Sequence, residues 1–107
     1  MDLKTLKKFI DIEDKRLSTN SAGADHARRA LARTVKLSEE VGELAEAVLG
    51  SLGLQRKAKL AKQTQENLEG EFADVIITTF LISKTLKIDV PAAIGRKIKK
   101  INERYLK

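Results

Sequence analysis

The chemistry this chain could do is concentrated in two acidic pairs, Glu40 and Glu43 within KLSEEVGELAEA and Glu71 and Asp74 within LEGEFADVIITTF. Each pair is spaced i, i+3, so on a helix its carboxylates project from one face about a turn apart. At about 100° per residue, Leu37, Val41, Leu44 and Val48 lie within a third of a turn of Glu40, and Leu68, Val75 and Ile82 flank Glu71. The acids therefore border apolar stripes, whereas Glu39 and Glu46 point away. Carboxylates turned toward an interior repel one another and lose hydration, which costs several kcal/mol per ion unless compensated.

A divalent cation is the simplest compensation. Mg²⁺ takes carboxylate, water and phosphate oxygens in octahedral geometry, with Mn²⁺ as a possible substitute, and two acid pairs on packed helices would deliver four carboxylates to one locus. The plain alternative, a solvated helix face, fits most isolated ExxE spacings but not two that both border apolar stripes. A ferritin-like di-iron site would need Glu-x-x-His pairs. The sole histidine, His26, is distant in sequence from both acidic pairs. Cysteine is absent, which excludes disulfides and thiolate metal sites.

Positioning these acids requires helices, and helical periodicity recurs where strand alternation does not. Leu3, Leu6, Phe9, Ile10 and Leu17 predict a first helix over about 2–17. STNSAGAD (18–25) is a break, and Asp25 is placed to cap a second helix over 26–49. That helix carries Leu31, Val35, Leu37, Val41, Leu44 and Val48, and Gly50 and Gly53 bracket its end. Residues 51–66 read as a polar connection. A third helix over 66–87 is apolar nearly all round from Phe72 to Ile82, the pattern of a buried helix. Asp89 and Pro91 then start a fourth, with Ile94, Ile98, Ile101 and Tyr105 as its stripe. The expected fold is all-α, a single domain over 1–107, an antiparallel bundle of about four main helices that oligomerises through apolar helix faces. A homodimer or homotetramer is expected because so short a chain has difficulty covering its apolar third helix.

The net charge of +6 favours anionic partners such as a nucleotide or nucleic acid. With only four aromatic residues, no base-stacking platform is apparent. No apolar run approaches a membrane span, and the N-terminal stretch does not read as a signal peptide, so the expected location is the cytoplasm.

Glu39-Glu40-Val41-Gly42-Glu43 followed by Glu71-Phe72-Ala73-Asp74 resembles the EExxE…ExxD signature of the MazG-like nucleotide pyrophosphohydrolases. The likeness runs through GELAEA into DVPAAIGRKIKKINERY, over roughly 31–106. It implies a helical, oligomeric, Mg²⁺-dependent enzyme that cleaves nucleoside triphosphates to monophosphate and pyrophosphate, as in house-cleaning of non-canonical or deoxy nucleotides. Carried over, the metal ligands are Glu40, Glu43, Glu71 and Asp74, and Glu39 matches the motif's first acid. Glu39 or Glu43 would help activate the attacking water.

On the fourth helix Lys97, Lys100 (or Lys99) and Arg104 recur at helical spacing and could neutralise phosphate oxygens. Lys36 and Asn67, each one turn before an acid pair, are further candidates for phosphate and for sugar or base. Relatives often carry Asn three residues before the closing Arg, where this chain has Ile101. Three alternatives remain, the weakest a catalytically silent scaffold with the same fold. One is phosphoribosyl-ATP pyrophosphohydrolase of histidine synthesis, from the same superfamily. Another is a basic helical dimer that binds nucleic acid, which leaves the inward acids unexplained. No membrane partner and no specific nucleic acid are expected.

Overall fold

The computed structural model describes residues 1–20, 25–54 and 64–106. They form four helices: α1 (Leu3–Asn20), α2 (His26–Ser51), α3 (Gln65–Leu86) and α4 (Val90–Glu103). There is no strand among the described residues, so the VIITT segment is helical. Parts of the sequence's expected break and polar connection, 21–24 and 55–63, lie outside the described residues.

Each helix start is set by an acid or hydroxyl that accepts from an otherwise orphan backbone N–H. Asp2 accepts from Thr5 N at 2.8 Å, Asp25 from Arg28 N at 2.7 Å, Thr64 from Asn67 N at 3.0 Å and Asp89 from Ala92 N at 3.0 Å. Pro91 sits in the first turn of α4, where its missing N–H is harmless. α2 is capped by Leu52, with Gly53 just beyond it at φ +72°, and α3 is capped by Lys87 at φ 57°, an unusual left-handed cap for a non-glycine residue.

α2 and α3 form the principal packed pair, and α1 lies along α3. Arg33 meets Leu81 and Thr85, while Glu40 and Glu43 meet Glu71, so α2 runs antiparallel to α3. Thr5 and Phe9 share a groove with Ala73 and Ile77, and Asp11 pairs with Lys84, so α1 runs parallel to α3. Ile10, Ala47 and Leu81 are the buried apolar residues, with Leu37, Leu44, Val48, Val75 and Ile82 half-buried around them.

Several apolar residues expected inside are not. Leu31 and Val35 of α2 are 66% and 68% exposed, and Phe72 and Ile76 of α3 are each 50% exposed. The reason is geometric. One neighbouring helix covers only one side of α2, and two helices leave part of α3 open. α4 has no buried residue and no extensive packing on the other helices, and Tyr105 lies beyond its end. No helix is long and apolar enough to cross a membrane among the described residues.

Candidate metal and nucleotide site

The acidic residues meet near the C-terminal half of α2 and the N-terminal half of α3. Antiparallel packing sets Glu40 and Glu43 opposite Glu71, and one carboxylate oxygen from each lies within 4.8 Å of the others. Glu40 is only 6% exposed, Glu71 is half-buried, and Glu43 stands at the exposed mouth. Asp74, one turn after Glu71, is exposed and stays outside that triad, but its charge still reaches Glu71.

The electrostatics are unbalanced. Burial comes first in pushing the Glu71 carboxyl above its ordinary range, followed by the negative charges of Glu43, Asp74 and Glu40 and a hydrogen bond with Glu43. Two carboxylates share a hydrogen bond only through a proton, so the ion-free cluster retains one more readily than an exposed acid does. Glu40 Oε2 and Glu71 Oε2 are both buried without a hydrogen-bond partner. Orphan carboxylate oxygens at such depth are costly, and a cation bound where they converge would offset that cost. An all-oxygen, anionic donor set suits a hard divalent ion such as Mg²⁺ or Mn²⁺.

Lys36 answers part of this charge. Its Nζ lies 3.0 Å from Glu40 Oε1 and 3.7 Å from Glu39 Oε2, one turn back on α2. The hydrogen bond to Glu40, and then the Glu39 charge, raise the Lys36 pKa. Glu39 is exposed beside it, outside the triad.

Residues 29–107 of the chain match the family model described as the MazG nucleotide pyrophosphohydrolase domain. The chain belongs to that family. No curated protein and no solved structure matches it. The match covers all three acids of the triad, Asp74 and α4, and leaves α1 outside it.

Of the other sequence-predicted residues, Asn67 is exposed in the first turn of α3, where its backbone N–H is held by Thr64. Lys97, Lys100 and Arg104 are exposed, and a single chain does not lay α4 along α2. Sequence reasoning missed Arg33. Its Nη1 is 2.7 Å from Asp14 Oδ1, 2.8 Å from the Leu81 carbonyl and 2.6 Å from Thr85 Oγ1, which joins all three packed helices. The available signal was position: Arg33 is seven residues before Glu40, two turns along the same face of α2.

Proposed function

We propose that this chain is a Mg²⁺-dependent nucleoside triphosphate pyrophosphohydrolase that releases a nucleoside monophosphate and pyrophosphate. The observation that supports it best is the pair of buried, unpartnered oxygens on Glu40 and Glu71, converging with Glu43 within 4.8 Å. Glu40, Glu43 and Glu71 would hold the cation, with Asp74 at the edge. Bound there, it would polarise phosphate oxygens and make a neighbouring water more acidic.

The chain's own residues divide the remaining work. Glu40 is fixed by burial and by Lys36, so its free oxygen is presented in a set direction. Glu43 is exposed and tied to Glu71, which places it to take a proton from the attacking water. Glu39, drawn to Lys36, is the alternative acceptor. Lys97, Lys100 and Arg104 are the candidate neutralisers of phosphate charge, supplied by an otherwise uncovered α4.

The test is pyrophosphate release from canonical, deoxy- and modified triphosphates and from phosphoribosyl-ATP, each with Mg²⁺ and with chelator. Release from a triphosphate that stops with chelator and with Glu40→Gln is the expected result. Preference for phosphoribosyl-ATP would move the chain to the histidine-synthesis activity. No release from any substrate, together with tight salt-resistant binding to duplex DNA, would overturn the enzyme reading.

A further inference from the structure

One stripe of α2 changes sign along its length. Arg29, Arg33, Lys36, Glu40 and Glu43 follow one another at steps of four, three, four and three residues, so they share a face of the helix. The two acids belong to the triad described above. The three cations precede them, toward the start of α2.

A cavity lies over the cationic half. Its volume is about 160 Å³, and its walls are Leu17 of α1 with Arg29, Ala32, Arg33 and Lys36 of α2. Among the described residues no acid lines it. The cavity adjoins the triad through Lys36, which lines the one while its Nζ lies 3.0 Å from Glu40 Oε1 in the other.

The lining residues differ in what they contribute. Arg33 is anchored by Asp14, the Leu81 carbonyl and Thr85, which makes it a fixed wall. Ala32 presents only a methyl group and leaves the space open. Arg29 is half-buried and Lys36 exposed, and they stand two turns apart, about 10 Å along the helix axis. Their long side chains reach the space above Ala32 from either end.

The chemistry of this lining names its ligand. Arg and Lys side chains donate hydrogen bonds and accept none, so the cavity selects an oxyanion over the mixed edge of a nucleobase. Cavities that hold drug-sized molecules start at about 300 Å³, so this one suits a small anion rather than a whole nucleoside. The acidic triad alone would repel a polyphosphate, and a cationic cavity beside it supplies the opposite charge.

Resting on the pyrophosphohydrolase reading, we infer that this cavity is the subsite of the leaving pyrophosphate, held by Arg29 and Lys36 with Arg33 as its wall. Hydrolysis joins the water oxygen to the α-phosphorus and breaks that phosphorus's bond to the bridging oxygen. The water's proton passes to Glu43, and the electron pair leaves with pyrophosphate, where Arg29 and Lys36 meet the added charge. The substrate is thereby oriented, its β- and γ-phosphates toward the start of α2 and its nucleoside away from it. Unlike Lys97, Lys100 and Arg104 of α4, these cations border the acidic site within a single chain.

The test is calorimetric binding of pyrophosphate in saturating Mg²⁺, with Mg²⁺ alone titrated beside it. The wild type should bind pyrophosphate, and Arg29→Gln should weaken that binding at least about tenfold. Ala32 is exposed, so Ala32→Phe fills the cavity without removing a charge and should weaken pyrophosphate as much. Affinity for Mg²⁺ alone should hold within about twofold in both. Arg28→Gln removes the same charge from an exposed position outside the cavity and should leave pyrophosphate affinity within about twofold. Wild-type pyrophosphate affinity in either folded cavity variant, equal weakening by Arg28→Gln, or a wild type that binds no pyrophosphate would overturn the assignment. The two readings fail separately. A chain that hydrolyses no triphosphate yet shows this binding pattern keeps the subsite and loses the reaction. Turnover alongside unweakened variants keeps the reaction and loses the subsite.

Discussion

Two charged clusters lie two turns apart on the same face of α2, and they solve the problem of burial in opposite ways. At Arg33 the guanidinium is 11% exposed and is met by a carboxylate, a carbonyl and a hydroxyl from two other helices. At Glu40 the carboxylate is as deep, but only one oxygen has a partner, and the opposing helix contributes another acid. The first cluster is complete within the chain, as a structural ion pair must be to offset desolvation. The second is left short of positive charge, a shortfall that a bound cation would make good. Buried charge in itself is therefore no guide to function; the state of its partners is.

The comparison is broken most severely by neutralising the acids. If these acids hold the proposed cation, Glu40→Gln or Asp74→Asn should lower turnover about 10²-fold or more, since the cation would supply several kcal/mol of charge stabilisation. The metal-free variants should remain folded, and Glu40→Gln should equal or exceed the wild type in stability because a repelling charge is gone. Steady-state pyrophosphate release and urea unfolding in chelator check the two halves. Wild-type activity and metal dependence in either variant would remove it from the ligand set.

At the other cluster the expected damage is to the fold. Arg33→Met leaves Asp14 without its cation and the Leu81 carbonyl and Thr85 without a donor. Breaking a buried pair on one side costs about 3–5 kcal/mol, and the partial exposure of Asp14, at 24%, places this site at the lower end or below it. The urea midpoint should fall markedly, while Mg²⁺ affinity of the folded fraction changes little. A variant as stable as the wild type would remove Arg33 as the tie between the three helices.

The two clusters were unequally legible in the sequence. Glu40, Glu43 and Glu71 were readable because i, i+3 spacing beside apolar residues is a local property of each helix. Their convergence also followed, because antiparallel packing of α2 on α3 is the simplest arrangement of a bundle. Arg33 was not readable, since its partners lie 19, 48 and 52 residues away and one is a backbone carbonyl. The division of α2 into two faces was missed for a related reason. Leu31, Val35 and Leu37 look equally apolar in sequence, and only the position of α3 sends Leu37 inward and leaves the first two outside. Helix ends were legible to within a few residues because Asp25 and Asp89 are local caps.

A smaller effect separates the clusters by pH. Glu71 has its folded pKa raised above the ordinary 4.5, first by burial and then by Glu43, Asp74 and Glu40. A carboxyl raised on folding stabilises fully below its unfolded pKa, and that contribution is lost as pH rises through the folded value. In chelator, the wild type should therefore lose stability between about pH 4.5 and neutrality relative to Glu71→Gln, which lacks this titration. Mg²⁺ binding requires the ionised form, so added Mg²⁺ should restore the wild type most at the upper end of that range. Parallel melting series in chelator and in Mg²⁺ would show this. Identical pH slopes for the two proteins would mean that Glu71 does not carry the cluster's proton.

The smallest effect sharpens the comparison most finely, because Lys36 is the cation that pairs with Glu40 of the triad, and it lies at the rim rather than inside. It is more than half exposed, so the pair with Glu40 is largely screened and contributes modestly to the fold. Its removal nevertheless leaves Glu40 with neither oxygen answered, which makes the ion-free cluster more anionic. Lys36→Met should thus lower the melting temperature slightly in chelator and enlarge the upward shift that Mg²⁺ produces. If Lys36 also contacts phosphate, KM for the triphosphate should rise in the same variant even as Mg²⁺ binds more tightly. Those two movements have opposite signs, so a metal titration followed by a substrate titration separates them. A smaller Mg²⁺ shift than in the wild type would show that Lys36 supports the cation's binding rather than competing with it for Glu40.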